Sequence, residues 1–243
     1  SLALFALRAG ALEAKGVFAM VSRESALVAN NVLLAVAALV VFVGTIWPLV
    51  AELVWARKLS VGEPFFNAAF TPFMVLLALI LPVGAIMPWK RADLGRSFRP
   101  LIPAAVLSLA LVALIYAMQT GTSALGPVGA GLGLWVVLGA MIDLWQRGGR
   151  GPAGARLARL TRLPRADWGK VTAHSGLGIT VFAVAAMTAW VTEDIRVLRV
   201  GESFALGPYE VTLAEVHDEQ GPNYSTTMAE MRVTKAGAAV VTL

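Results

Sequence analysis

The sequence predicts a mainly α-helical, polytopic transmembrane protein of about five spans with a small C-terminal β unit. Hydrophobic residues make up 58% of the 243 residues and charged residues only 14%, whereas soluble globular domains carry about 25% charged residues. Three long stretches carry no charge, and each exceeds the roughly 20 residues that cross a bilayer as a helix. Beyond residue 192, short alternating segments separated by turn residues are typical of strands.

The charge pattern divides the chain into three parts. Residues 1–25 mix apolar and charged side chains and are expected to form a cytoplasmic or interfacial segment. Residues 26–192 are expected to form the transmembrane region and 193–243 a β unit, truncated at Leu243. The spans are predicted at about 26–51, 65–89, 100–120, 125–145 and 171–192. Strands are predicted at Ile195–Leu198, Tyr209–Leu213, Met228–Val233 and Ala239–Leu243.

Polar and small residues inside the spans predict contacts between helices. Asn30 and Asn31 are expected to face other helices, since an amide in lipid needs a partner. The pattern Gly129-x-x-x-Gly133 favours close approach of two helices, the alternative being chance in a glycine-rich chain. Asp143 closes the same span and is expected at the membrane interface.

Basic residues predict the orientation. The segments 1–25, 90–99 and 147–170 hold 14 lysines and arginines, whereas 52–63 and 119–128 hold 2. Since positive loops stay in the cytoplasm, the acidic β unit is expected outside, which is the periplasm for a bacterial inner membrane. The basic loop itself is interpreted as a topology signal, with binding of anionic lipid as the alternative.

Composition and motifs also exclude several functions. The bases lie beside apolar spans rather than among exposed aromatics, so we expect no nucleic-acid partner. The chain has no cysteine, which excludes disulfides, thiolate metal sites and covalent haem attachment through its own thiols. No phosphate-binding loop, nucleophile elbow or carboxylate pair placed for acid–base work is present, and no catalytic residue is predicted.

His174 is the candidate site residue, because it is an ionisable group inside an apolar span. An imidazole is a good axial ligand for haem iron and can relay protons near neutral pH. Binding of another metal would need further ligands, and no HxxxH or HxxE pattern occurs there. The remaining alternative is an interfacial histidine that hydrogen-bonds a neighbouring helix or lipid head groups.

Two neighbours of His174 fit a haem. Gly178 lies one turn further on the same helix face and leaves space for a flat macrocycle, and Lys170 lies one turn earlier, where it can meet haem propionates. His217 is predicted on the other side of the membrane and is interpreted as a solvated histidine. A second axial ligand is therefore expected from outside this chain.

Several motifs in order resemble one family. They are Ser22-Arg23-Glu24-Ser25 with Asn30-Asn31, Gly44-Thr45-x-x-Pro48, the stretch Ser60–Asn67 (SVGEPFFN), Trp89-Lys90, Ala173-His174-Ser175-Gly176 and Gly221-Pro222-Asn223-Tyr224. The chain is similar over essentially its whole length to the C-terminal portion of the CcmF family, the haem lyase component of system I cytochrome c maturation. The SVGEPFFN stretch with the preceding SRE and NN is the most specific part.

The resemblance implies a large inner-membrane protein that takes haem from the chaperone CcmE and, with CcmH, attaches it to the CxxCH motif of apocytochrome c. It implies a structural haem b held by two transmembrane histidines, of which His174 matches the second and would be its axial ligand. The resemblance also implies a tryptophan-rich WWD region and two periplasmic histidines, and we find none of these features in the 243 residues of the sequence. We therefore expect a piece of a longer protein or one product of a split gene, not competent alone.

The function implied is positioning of haem so that apocytochrome thiols add across its vinyl groups, with the haem b at His174 as an electron route. A secondary transporter is the first alternative, with helices broken at Pro72, at Pro82 and at the glycines around Gly126–Gly133, although no internal two-fold repeat supports it. A non-catalytic membrane scaffold for a partner complex is the second.

Overall fold

The computed structural model describes residues 6–8, 19–121 and 123–243 and separates them into a helical unit and a unit that contains a sheet. The helices with described bounds are α1 Arg23–Trp55, α2 Glu63–Ala69, α3 Thr71–Ile86, α4 Leu94–Phe98, α5 Ile102–Met118, α6 Leu125–Arg147, α7 Ala153–Leu160 and α8 Arg165–Trp190. A 3₁₀ turn, Arg99–Leu101, joins α4 to α5. The strands are β1 Ser203–Leu206, β2 Tyr209–Gln220, β3 Ser225–Lys235 and β4 Ala238–Thr242.

Within the residues that the structure describes, four helical segments are long and apolar enough to cross a membrane: α1, α4 to α5 as one segment, α6 and α8. Together with the C-terminal sheet they confirm the predicted fold class. The predicted span 65–89 is divided, because α2 ends at Ala69 and α3 begins at Thr71. Pro72 has no N–H to donate to the carbonyl of Ala68, which breaks the helix there. The assignment of five spans stays a prediction, and it requires that α2 and α3 together form one span.

Helix α6 occupies the centre of the helical unit. The indole Nε1 of Trp135 donates to the carbonyl of Leu79 on α3 at 3.2 Å, and its ring centroid lies 5.9 Å from that of Phe98. Gly139 of α6 faces Pro82 of α3 so closely that a side chain at 139 would overlap the proline ring. A buried cluster surrounds these contacts and consists of Ala78, Leu101, Ala104, Leu132, Trp135 and Val136.

The start of α1 is fixed to the chain that follows α3. The hydroxyl of Ser22 caps α1 by accepting from the backbone N–H of Ser25 at 3.1 Å. The carboxylate of Glu24 accepts from the backbone N–H of Lys90 at 2.8 and 3.0 Å. These bonds hold the two helices together at the end of the unit where the candidate site lies.

The second unit contains an antiparallel sheet in the order β1-β2-β3-β4, with consecutive strands paired. Glycines in the left-handed region make two of its turns, Gly207 with φ 59° and Gly237 with φ 81°. Val211 and Leu213 of β2 are its buried apolar residues. The predicted C-terminal β unit is therefore confirmed, and it is antiparallel throughout.

One predicted strand is wrong. Residues Ile195–Leu198 form no strand, and β1 pairs with β2 in its place. Arg196 is instead engaged by its side chain, which pairs with Asp194 and lies 4.6 Å over the ring of Phe204. These contacts hold Arg196 in a loop, so the alternating apolar residues around it do not form a strand of the sheet.

Candidate functional site

Helix α8 presents the candidate residues. It begins at Arg165, whereas the span was predicted from residue 171, so the end of the predicted basic loop is helical and His174 lies nine residues into the helix. At 1.5 Å per residue this is about 13 Å from the helix start. Lys170 and Gly178 lie one turn before and after it, as predicted, but they contact different neighbours.

A cavity of about 200 Å³ lies between α1, α3 and α8. His174, which is half-buried, and Lys170 line it from α8, while Arg23 and Asn30 line it from α1. The remaining walls are small or aliphatic and consist of Ala26, Leu27, Leu33, Leu77, Ile80, Leu81, Gly84 and Ala85. Most of the lining is thus small or aliphatic, and two cations, an amide and an imidazole complete it.

The two asparagines of α1 have different surroundings. Asn30 faces the cavity between helices, as the sequence predicted for an amide in a span. Asn31 is exposed on the described helices and accepts a bond from Asn30 Nδ2 to its Oδ1 at 3.4 Å. The expectation that both face other helices therefore holds for Asn30 within the described part of the chain.

Four charged side chains connect α6 and α8 beside the cavity, and one of them, Lys170, also lines it. Asp143 is 5% exposed, and its Oδ2 lies 3.4 Å from Nε of Arg147 and forms an ion pair with Lys170 Nζ. Arg147 also pairs with Asp167 at the start of α8. Two acids and two bases thus neutralise each other. We call these four residues the ion cluster.

The ion cluster changes the expectation for two residues. Asp143 is buried in the protein, although the sequence predicts it at the membrane interface. Lys170, expected to meet haem propionates, has a carboxylate partner within the protein. The signal available in the sequence was a lone acid at the end of a long uncharged run, four residues before Arg147, which is the spacing of a helical ion pair. Its contact with Lys170 has no local signature.

Gly178 lies against α6 rather than beside the cavity. A Cβ at 178 would come within 2.7 Å of the carbonyl oxygen of Gly133 and 3.0 Å of the backbone nitrogen of Val137. A Cβ at 129 would come within 2.8 Å of the Ala185 Cβ. The pattern Gly129-x-x-x-Gly133 therefore does mediate close helix approach, and we call this contact the α6–α8 seam. It gives Gly178 a packing role, and a role beside a cofactor stays a prediction.

The chemistry of the cavity suits a flat, largely apolar ligand that carries a metal and acidic groups. His174 is a nitrogen donor among mostly aliphatic side chains, and Arg23 adds a positive charge, whereas the charge of Lys170 is matched by Asp143. Among the described residues, no group of three or more His, Cys, Asp and Glu could hold a metal ion.

His217, the second histidine, lies on the sheet. It is paired across β2 and β3 with Met228, and its side chain is half exposed, with Nδ1 3.9 Å from Oε1 of Glu215. This agrees with the interpretation of a solvated histidine. It also makes His217 a suitable control for experiments on His174.

Known proteins resemble the chain over its whole length. A family model described as the CcmF C-terminal beta-sandwich matches residues 189–243. The cytochrome c-type biogenesis protein ccl1 of Rhodobacter capsulatus is 57% identical over 243 residues, all of this chain and 36% of the relative. The cytochrome c-type biogenesis protein CcmF of Escherichia coli is 35% identical over 240 residues, 98% of this chain and 35% of the relative.

A solved structure shows the same fold. The chain of the "Cytochrome c Heme Lyase CcmF" superposes with a TM-score of 0.57 at 24% identity, covering 93% of this chain and 35% of that one. The present chain thus spans about a third of the length of the curated relatives that it matches.

Proposed function

Because this chain belongs to the CcmF family and contains its C-terminal region, we propose that it forms the part of a cytochrome c haem lyase that holds haem b in the membrane and supports haem attachment to apocytochrome c. The observation that carries this proposal is the placement of His174 in a mostly aliphatic cavity that Arg23 and Lys170 also line. The relatives are cytochrome c-type biogenesis proteins by name, which supports the same pathway.

The residues present fit a haem. The imidazole of His174 would hold the iron, since haem iron takes such nitrogen donors as ligands, and aliphatic side chains of α1 and α3 would pack against the macrocycle. The cavity of about 200 Å³ is smaller than the roughly 300–1,000 Å³ of typical ligand sites. The cavity would therefore enclose only part of a haem, and the remaining contacts and a second iron ligand would come from residues outside this chain.

Within this proposal each residue has a defined task. His174 binds the iron, the wall residues exclude water from it, and the α6–α8 seam fixes the backbone that carries the imidazole. When bound, the haem supplies a one-electron centre in the membrane. Gly178 acts through the seam, and Lys170 through its pair with Asp143.

The test is His174→Ala in the natural gene product that carries this chain, purified in detergent. We expect the haem b content, measured by the pyridine haemochrome spectrum, to fall by at least about tenfold, because the axial bond is lost. His217→Ala is the matched control and should retain haem. Unchanged haem content and an unchanged spectrum in His174→Ala would refute the proposal.

We propose further that the protein lies in the bacterial inner membrane with the β unit in the periplasm, where it works with CcmE, CcmH and apocytochrome c. The distribution of basic residues supports this orientation. These 243 residues contain no cysteine, so single cysteines introduced into them report the orientation once any cysteine elsewhere in the gene product has been replaced. A maleimide that cannot cross membranes should label Glu219→Cys in intact spheroplasts and Arg150→Cys only after permeabilisation. The reverse pattern would overturn the orientation.

A further inference from the structure

The two cations that line the cavity differ in their partners. Lys170 is already paired with the buried carboxylate of Asp143. Arg23 has no carboxylate partner within the residues that the structure describes. Its guanidinium carbon lies 5.0 Å from the ring centroid of Trp89, a distance typical of a cation–π contact. The charge of Arg23 is therefore held in place but not neutralised.

The backbone around Arg23 is firmly anchored. Its N–H donates to the carbonyl of Pro88 at 3.1 Å, and the preceding Ser22 caps the helix and is 1% exposed. Glu24, the adjacent acid, is engaged with the backbone N–H of Lys90. The backbone of Arg23 is thus held in place, while its guanidinium lines the cavity without a carboxylate partner among the described residues. Such a guanidinium is suited to binding an anion from outside the chain.

We propose that Arg23 is a ligand-binding residue that pairs with a carboxylate of the molecule in the cavity, while Lys170 stays with Asp143. The guanidinium presents two parallel N–H groups that match the two oxygens of a carboxylate. This inference rests on the proposed function, in which the ligand is haem and the carboxylates are its propionates. A lipid phosphate is the competing source of negative charge, and the experiment separates the two.

The test compares haem with haem dimethyl ester, in which both propionates lack charge. Both are titrated into the purified natural gene product stripped of haem, and dissociation constants are read from the Soret band. The unmodified protein should prefer haem, and Arg23→Gln should reduce that preference about tenfold, as expected for one charge-assisted pair. Arg91→Gln, an exposed cation at the same end, is the matched control and should keep the full preference.

Three results would overturn the inference. An unchanged preference for haem over its ester in Arg23→Gln would show that Arg23 does not bind the propionates. An equal loss of both ligands would show that Arg23 only supports the fold. A loss of co-purifying anionic lipid with an unchanged preference would assign Arg23 to lipid phosphate. His174→Ala separates a failure of the proposed function from a failure of this inference. If His174→Ala loses haem while Arg23→Gln keeps its preference for haem over the ester, only the role of Arg23 is refuted.

Discussion

Helix α8 makes two very different contacts on two of its sides. Toward α6 it forms the seam, where glycines bring backbone against backbone, and a Cβ at Gly133 would come within 2.6 Å of the Gly178 carbonyl oxygen. Toward α1 and α3 it leaves the cavity of about 200 Å³ that His174 and Lys170 line. From this difference we infer that one side of α8 holds the helix in position, while the other side is available to a ligand.

The two contacts depend on each other. Gly178 lies one turn from His174 on the same helix, so the seam determines where the imidazole is held. Small residues permit this because helix association in lipid relies on close packing rather than on the hydrophobic effect. The seam should therefore tolerate no added volume, whereas the cavity should accept it.

The largest effect is expected from Gly133→Leu. Its Cβ would meet the carbonyl oxygen of Gly178 and the backbone nitrogen of Phe182 at 2.6 and 2.7 Å, so the two helices must separate. We expect a loss of about 3 kcal/mol or more in the free energy of unfolding, together with loss of bound haem, because His174 moves with α8. Thermal unfolding in detergent and the haem content measure both.

Gly176→Ala is the matched control for that experiment. Gly176 lies on α8 between the candidate residues, and nothing would lie within 4 Å of an added Cβ. We expect no destabilisation, and a gain of up to about 1 kcal/mol is consistent with the helix propensity of alanine. Equal damage from both substitutions would contradict the distinction between the two sides of α8.

An intermediate effect is expected from Asp143→Asn. The change leaves the ammonium of Lys170 without its partner, which costs roughly 3–5 kcal/mol for a fully buried pair. Since the Lys170 side chain is 24% exposed, we expect a loss of about 1–3 kcal/mol. The double variant Asp143→Asn, Lys170→Met should recover part of the loss, because it removes the uncompensated charge. No recovery would show that the pair does not couple the two helices.

The smallest effect is expected from Ala85→Leu in the cavity wall. Ala85 is half-buried beside free volume, so the unfolding free energy should change by less than about 1 kcal/mol, while haem binding falls because the space is filled. Ala185→Leu adds the same side chain on the seam, where Ala185 is 7% exposed, and should cost about 1–3 kcal/mol. Equal unfolding midpoints for the two variants would refute the comparison.

Uncharged stretches were sufficient to predict α1, α6 and α8, because apolar length alone determines what can cross a bilayer. The spacing of Gly129 and Gly133 left close helix approach and chance as alternatives, and their contacts with α8 decide for close approach. The strand at Ile195–Leu198 was predicted wrongly, because alternation is a weak signal when an arginine within it has side-chain partners in the loop.

The candidate site was only partly predictable. His174 stood out because an imidazole is rare in a span, and its spacing from Lys170 follows from helix geometry. The pairing of Lys170 with Asp143 and the contribution of Arg23 to the cavity join residues 27 and more positions apart in the sequence. Local spacing carries no information about such contacts, which depend on how the helices cross.

The ion cluster has an electrostatic consequence for the cavity. Its two acids and two bases sum to zero, so at a distance it acts as opposed dipoles whose field decays quickly. Removing any one member would leave a net charge beside a low-dielectric wall, where interactions are several times stronger than in water. A metal held at His174 would then experience a changed electrostatic potential, although none of the metal's own ligands had changed.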